Sequence, residues 1–316
     1  MQLDIVVGFF ILGAFAQLVR SDLRLPESLY KSCVIFLLLA IGLKGGAALS
    51  KSPITTLLPQ SMAVVAFGAL LPLVAFPILR YIGRWSRIDA AATAAHYGSV
   101  SVATYAVAIA LLESRGVDYE AYFPLFVALL EVPAIIIGIL LAGTAATSSG
   151  GASRGADWGK IIREIFLNQG VLLLLGGIAI GAWAGDRTVS VMPFFGDLFH
   201  GVLALFLLEM GRVAAERLPT IRRQGAFLLS FGVLMPLLGA AGGAALAGLL
   251  GLSPGGIVLL AVLGSSASYI AVPAAMAVAL PQANASLSIT LSLAITFPFN
   301  VLVAIPAYLA LVQHWS

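Results

Sequence analysis

Charged residues are scarce in this sequence. Lysine, arginine, aspartate and glutamate together make up 10 % of its 316 residues, whereas 60 % of the residues are hydrophobic. A soluble domain carries roughly 25 % charged residues. The composition therefore excludes a soluble globular domain and predicts a polytopic membrane protein in a lipid bilayer. The formal net charge of +3 gives no indication of a nucleic-acid partner.

Reactive and metal-binding residues are also few. Cys33 is the single cysteine and lies in an apolar run, which excludes an intrachain disulfide and a cysteine-based metal cluster. His96 has no second histidine or cysteine at ligand spacing. We see no phosphate loop, nucleophile elbow or zinc motif, and expect neither enzymatic activity nor a cofactor. The first residues, Met1 to Asp4, lack a basic region and a cleavage site, so we expect no removable signal peptide.

The hydropathy of the chain predicts ten membrane spans. They cover residues 4–19, 28–48, 58–82, 90–112, 119–142, 165–185, 193–213, 225–251, 256–280 and 285–312. The one sizeable polar linker runs from Thr147 to Asp157 and follows the fifth span. We therefore divide the chain into a first five-helix repeat (residues 1–146), a cytoplasmic linker (147–163) and a second five-helix repeat (164–316).

The two halves of the chain resemble each other. Gly98-Ser99 recurs as Gly264-Ser265, and Val132-Pro133 recurs as Phe297-Pro298 at nearly the same offset. Because each half has an odd number of spans, the halves have opposite orientations in the membrane. The predicted fold class is an all-α polytopic membrane protein whose ten transmembrane helices form a 5+5 inverted repeat.

The basic residues of the loops predict the orientation of the chain. Twelve lysines and arginines lie in the loops after the first, third, fifth and seventh spans, against four in the loops on the opposite side. Basic loops stay in the cytoplasm. We expect a bacterial plasma-membrane protein with both termini on the outer face.

Two spans carry small polar residues in their middle thirds. These residues are Gly98, Ser99 and Ser101 in the fourth span and Gly264, Ser265, Ser266 and Ser268 in the ninth. Glycine and small hydroxyl residues let a helix unwind at membrane depth, where protein or a water-filled cavity must surround the backbone. The half-helix after each break then offers free N–H groups to a small anion. We predict an anion site at the breaks; close helix packing is the alternative.

Glu131 lies near the centre of the fifth span, where a carboxylate is costly and marks an ion path. Pro133 frees carbonyl oxygens in the preceding turn. Together with Thr104, these are hard oxygen ligands suited to Na⁺. The alternative is a protonated Glu131, or a Glu131–His96 pair, that holds two helices together.

The second half matches the Glu131 region with neutral polar residues. Thr296 and Asn300 flank Pro298 and share one helix face, four residues apart. They are our further candidates for Na⁺ ligands. Asn300 is equally suited to a plain interhelical hydrogen bond.

The sequence resembles the sodium-dependent bicarbonate transporters first recognised in cyanobacteria. The similarity covers nearly the whole chain and is strongest at Ile41–Gly46 and Ala110–Ala121. Glu131-Val132-Pro133-Ala134 is similar to the family's sequence of an acidic residue, an apolar residue, proline and alanine. Ser265-Ser266, Pro273 and Leu280–Asn284 resemble the family's second serine-rich segment.

The resemblance implies a core domain, a gate domain and a homotrimer. It also implies Na⁺-coupled uptake of bicarbonate, which binds between two discontinuous crossing helices while Na⁺, the coupling ion, lies close by. Carried onto this sequence, the anion lies near the serines and glycines of the two breaks. A small PII-like regulatory protein docks on the cytoplasmic side of the family, and we keep it as a possible partner.

The chain departs from the family at the second break and in the linker. Tyr269 stands where the cyanobacterial members have an aspartate, Pro273 lacks a second proline beside it, and the central linker is shorter. Three functions therefore remain open: Na⁺-coupled bicarbonate import, Na⁺-coupled transport of a carboxylate or sulfate, and a membrane receptor that binds without transport. A Na⁺/H⁺ antiporter ranks lower because Glu131 is the single midplane carboxylate.

Overall fold

The computed structural model describes residues 4–143, 158–219 and 225–315, and within these ranges it contains helices and no strand. The helices are α1 (Ile5–Leu18), α2 (Glu27–Leu49), α3 (Ile54–Pro77, extended by the π-helix Ile78–Ile82), α4 (Arg87–Gly98), α5 (Val102–Ser114), α6 (Phe123–Ala142), α7 (Trp158–Leu167), α8 (Gln169–Ala184), α9 (Phe199–Glu216), α10 (Ala226–Leu249), α11 (Pro254–Ser265), α12 (Ala271–Ala279) and α13, a continuous helical run that begins with Ala285–Thr290 and ends with Ile305–Trp315.

Eight helical runs among the described residues are long and apolar enough to cross a membrane. One of them is the pair α4 and α5, Arg87–Ser114. Helices α1 and α11 are apolar but shorter. The all-helical, multi-pass architecture predicted from composition is confirmed, and the helices begin and end within a few residues of the predicted spans.

The span predicted at 165–185 begins four residues before the helix that forms it, α8. A separate helix, α7, ends at Leu167, and α8 begins after Asn168, whose side chain accepts a hydrogen bond from the Gly170 N–H at 3.0 Å. Ile161 and Ile165 are buried, whereas Ile162 and Phe166 are exposed. This amphipathic pattern makes α7 a helix of its own rather than the first turn of a span. Of the predicted linker, residues 147–157 lie outside the described ranges.

Glycines allow two pairs of helices to pack backbone against backbone. In the pair α1 and α9, a Cβ on Gly13 would overlap the carbonyl group of Leu208. In the pair α2 and α8, a Cβ on Gly46 would overlap the carbonyl group of Ile178. Small residues at membrane helix interfaces permit this close approach. The four helices α1, α2, α8 and α9 therefore form two tightly joined pairs.

Polar contacts join loops that the predicted topology assigns to the same side. Lys51, after α2, forms an ion pair with Asp186, after α8, at 2.5 Å. On the other side the Asn284 N–H, before α13, donates to the Asp89 carboxylate, in the first turn of α4, at 2.7 Å. The fold therefore agrees with the predicted alternation of loops, whichever side is the cytoplasm.

Candidate functional site

The fourth and ninth predicted spans are both interrupted. Between α4 and α5, Ser99 and Ser101 have extended backbone angles. Between α11 and α12, Ser266 is extended and helical structure resumes at Ala271. Ser101 begins α5 as an N-cap: its hydroxyl oxygen accepts a hydrogen bond from the Thr104 N–H at 3.2 Å. Two breaks stand where the glycine and serine clusters predicted them.

Hydrogen bonds join the two breaks to each other. The Ser268 N–H donates to the His96 carbonyl oxygen at 2.8 Å, and the His96 ring Nδ1 lies 2.6 Å from the Ser268 carbonyl oxygen. The Ser101 N–H donates to the Ser266 hydroxyl oxygen at 3.1 Å. Because the bonds run between backbone groups and short side chains, the two breaks lie in direct contact. His96 has no bond to Glu131, so the pair considered from the sequence is not formed.

A cavity opens at the junction of the two breaks. It encloses about 590 Å³, counted out to its open mouth. Its polar residues are Ser101, Glu131, Ser268 and Tyr269. Its apolar walls come from α2, α8 and α9 and include Val34, Leu37, Leu38, Val171, Leu174 and Phe206. We refer to it below as the central cavity.

The first residues of two half-helices line the central cavity. Val102 and Ala103 begin α5, and Ala271 begins α12. A helix N-terminus presents free N–H groups and the positive end of the helix dipole. Two such termini directed at one cavity suit a small anion, which needs no fixed cation there.

Glu131, on α6, is a buried carboxyl group on the wall of the central cavity. Among the described residues it has one hydrogen bond, from the Ser99 hydroxyl, which donates to Oε2 at 2.5 Å. No lysine or arginine of the described residues pairs with it. Burial without a counter-charge is costly for a carboxylate. Glu131 therefore suits a site that a mobile cation enters.

The other predicted Na⁺ ligands lie around the breaks but not on the cavity wall. The Thr104 hydroxyl and the Asn300 Oδ1 are buried oxygens without a hydrogen-bond partner among the described residues. Asn300 is fixed by its Nδ2, which donates to the Ser265 carbonyl oxygen at 2.8 Å. Thr296 is already engaged: it donates to the Gly232 carbonyl oxygen and contacts the Tyr97 hydroxyl, each at 2.8 Å.

Helix α13 changes its winding around Asn300. Two π-helical segments, Leu291–Thr296 and Asn300–Ala304, lie on either side of the short segment Phe297–Phe299. Pro298 lacks an N–H, so a regular α-helical ladder cannot continue through it. Single π-turns inside helices often accompany functional sites because they leave carbonyl groups without regular partners. Helix α13 therefore departs from regular α-helical winding on both sides of Pro298.

The two predicted site glycines lie against neighbouring helices rather than on the cavity wall. A Cβ on Gly98 would overlap the ring of Pro72 on α3, and a Cβ on Gly264 would overlap the Gly239 carbonyl on α10. The Ser265 hydroxyl likewise turns back to donate to the Val262 carbonyl oxygen at 3.0 Å. Of the seven residues proposed from the sequence as anion ligands, Ser101 and Ser268 reach the cavity.

Several cavity residues carry no chemical signal in the sequence. Leu37 and Phe206 form its walls, but they resemble any other buried residue of an apolar helix. Tyr269 does have a signal, because it departs from the aspartate that the family resemblance predicts at this position. Its hydroxyl is buried without a hydrogen-bond partner among the described residues, and its ring packs edge-on against Phe297, with ring centroids 5.7 Å apart.

A family model described as the Na⁺-dependent bicarbonate transporter superfamily matches residues 6–313, which is nearly the whole chain. No curated protein matches the sequence.

Proposed function

Because the chain belongs to the Na⁺-dependent bicarbonate transporter superfamily, we propose that it is a Na⁺-coupled symporter that imports bicarbonate. It is a multi-pass membrane protein of a transporter family, and this membership argues against an enzyme. We infer the symport mechanism, the bicarbonate substrate and the inward direction of transport.

The observation that carries the proposal is the central cavity between two helix N-termini. Bicarbonate is a small planar anion with three oxygens, and it binds to N–H groups at the starts of α5 and α12. The hydroxyls of Ser101 and Ser268 complete its hydrogen bonds. In secondary transporters, broken helices place such sites at the bilayer midplane.

Na⁺ binds beside the anion, on oxygen ligands. Glu131 supplies the negative charge, while Thr104 and Asn300 supply oxygens that lack a partner in the protein. Thr296 is the weakest of the four sequence candidates because its hydroxyl already has two partners. The coupling follows from charge: Na⁺ next to Glu131 removes the repulsion that an ionised carboxylate exerts on an incoming anion.

The fold of this proposal is a 5+5 inverted repeat with a core and a gate domain. The gate consists of α1, α2, α8 and α9, and the core of the remaining spans with the two crossing half-helix pairs. The glycine contacts support this assignment. Inverted symmetry exchanges α1 with α8 and α2 with α9, so it converts the α1–α9 contact into the α8–α2 contact, and glycines mediate both.

The cellular setting is proposed on charge and resemblance. The loops rich in arginine face the cytoplasm of a bacterial plasma membrane, and both termini face outward. The protein is a homotrimer. A PII-like regulator is the partner to test on the cytoplasmic side.

Transport into proteoliposomes tests the proposal. Purified protein should take up radiolabelled bicarbonate when an inward Na⁺ gradient is imposed and much less with an equal K⁺ gradient. Ser101→Ala combined with Ser268→Ala should reduce uptake, whereas Ser32→Ala, which removes an exposed hydroxyl on α2, should not. Equal uptake with Na⁺ and K⁺ would falsify the proposed coupling.

The second candidate is Na⁺-coupled transport of another small anion, a carboxylate or sulfate. Tyr269 favours it, because an apolar ring and a neutral hydroxyl replace an acidic group beside the cavity. Competition of bicarbonate uptake by a panel of anions separates the two. A membrane receptor that does not transport would instead show saturable binding without counterflow.

A further inference from the structure

A second cavity lies between α2 and α5, on the side opposite the arginine-rich loops. It encloses about 460 Å³, counted out to its mouth, and we call it the outer pocket. Its polar lining consists of Lys44, Tyr105, Glu113 and Tyr119. Helix α2 contributes to both cavities, as does α5. The outer pocket therefore lies on the same helix–helix boundary as the central cavity, closer to the proposed outer face.

Three polar side chains of the outer pocket bond to one another. The Lys44 ammonium on α2 forms an ion pair with the Glu113 carboxylate on α5. The Tyr119 hydroxyl donates to Glu113 Oε1 at 2.8 Å, and Lys44 reaches the Tyr119 oxygen at 3.3 Å. Burial, and then the charge of Glu113, raises the pKa of Tyr119, so its hydroxyl stays protonated and donates.

The ion pair is replaceable. The Lys44 side chain is 51 % exposed and that of Glu113 28 %. Ion pairs in contact with water contribute little to stability, because water competes for both partners. A second anion can therefore displace the Glu113 carboxylate from Lys44. The separation of Lys44 from Glu113 also removes a link between α2 and α5.

Tyr105 points to the ligand. Its side chain is completely buried and lines the outer pocket, yet its hydroxyl has no hydrogen-bond partner among the described residues. A buried hydroxyl without a partner is costly, and native structures rarely keep one without a reason. An oxyanion held by Lys44 would give this hydroxyl an acceptor.

We propose that the outer pocket is an anion-recognition site, where the incoming anion replaces Glu113 at Lys44 and accepts a hydrogen bond from Tyr105. This inference rests on the proposed import of bicarbonate and adds a first binding step before the central cavity. The Glu113 carboxylate competes with the incoming anion for Lys44, with which it is paired when no anion is bound.

Opposite effects of two neutralising variants test the inference. Lys44→Gln removes the cation and should raise the KM of bicarbonate uptake about tenfold, whereas Glu113→Gln removes the competitor and should lower it a few-fold. A purely structural ion pair would shift both variants in the same direction. That outcome would overturn the outer site while leaving Na⁺-coupled uptake by the wild-type protein intact.

The hydroxyl is tested by a matched pair of substitutions. Tyr105→Phe should raise KM about fivefold. Tyr308→Phe removes another buried hydroxyl that has no partner among the described residues. It lies at a separate cavity lined by α10, α11 and α13, and its loss should leave KM unchanged. Equal behaviour of the two variants contradicts the inference.

Calorimetry with bicarbonate and purified protein separates this inference from the proposed function. Binding that depends on Lys44 and Tyr105 without any uptake would keep the outer site and reject import. No binding by the wild-type protein would reject both.

Discussion

At the scale of single residues, Glu131 is a buried carboxyl group that has no counter-charge among the described residues. It lies at the boundary of the central cavity, and its one hydrogen-bond partner in the described part of the chain is the neutral Ser99. The cavity around it is otherwise lined by hydroxyls and apolar groups. A carboxyl group in this position discriminates between cations and anions by its charge alone, so its neutralisation is the most direct test of coupling.

Glu131→Gln should therefore raise the Na⁺ concentration for half-maximal uptake by about tenfold or more, with the protein still folded. Glutamine keeps the size of the side chain and its contact with Ser99 but removes the charge. Na⁺ titration of bicarbonate uptake measures the effect. Glu216→Gln, at the end of α9 and half exposed, is the matched control, and an unchanged Na⁺ response would remove Glu131 from the site.

Substitution of Gly98 or Gly264 should reduce the stability of the fold. Valine at either position would overlap a neighbouring helix, so the free energy of unfolding should fall by about 1–3 kcal/mol. Valine at Gly176, which has open space around its Cα, should cost much less. Thermal unfolding in detergent measures this. A normal unfolding temperature with lost bicarbonate binding would show instead that the glycines make room for the anion.

Some residues of the candidate site can be recognised in the sequence and others cannot. Glu131 and the serine clusters could be found because polar groups inside apolar spans are costly and therefore informative. Which serines face the cavity could not be predicted: Ser265 and Ser268 are three residues apart, and the local unwinding decides where each hydroxyl points. Leu37 gives no signal at all, because an apolar residue is equally suited to lipid, core or cavity wall.

At the scale of elements, the two breaks behave as one unit. Each break is predictable from its own glycine and serines, but the bonds between them join residues more than 160 positions apart, and no local pattern contains that information. The separate helix α7 was missed for a related reason. Its apolar residues continue the hydropathy of the following span, and only the cap at Asn168 shows that a new helix begins there.

His96→Ala should weaken the contact between the two breaks by removing one of the bonds that join them. It leaves the Ser268 carbonyl without its side-chain partner, and a buried acceptor that loses its donor costs about 1–3 kcal/mol. Both the unfolding temperature and the affinity for bicarbonate should fall. His96→Gln, whose amide can donate to the same carbonyl, should recover part of each. A variant with normal binding would show that the breaks do not need this bond.

At the scale of the whole molecule, contacts between loops agree with the predicted alternation of membrane faces. Which face is cytoplasmic is a prediction. The Lys51–Asp186 contact joins the loops after α2 and α8, and the Asn284–Asp89 contact joins the loop before α13 to the first turn of α4. The arginine distribution then selects the cytoplasmic face.

Labelling of single cysteines tests that direction. Cys33 is the one native cysteine and is buried, so Cys33→Ser provides the background. An impermeant maleimide should label Ser190→Cys from outside intact cells and Ser21→Cys only in inverted vesicles. Both serines are exposed and lie in loops assigned to opposite faces. The reversed pattern would invert the proposed topology.

The partial exposure of the Lys44–Glu113 pair to water makes its strength depend on the salt concentration. Dissolved salt screens attraction between exposed charges over a Debye length of about 8–10 Å at physiological concentrations, and over a shorter distance in more concentrated solutions. The Lys44–Glu113 ion pair between α2 and α5 is therefore weaker in concentrated salt than in fresh water. Under the proposed function, salinity acts on the protein through two separate routes: Na⁺ as the driving ion, and every dissolved ion as a screen at the outer pocket.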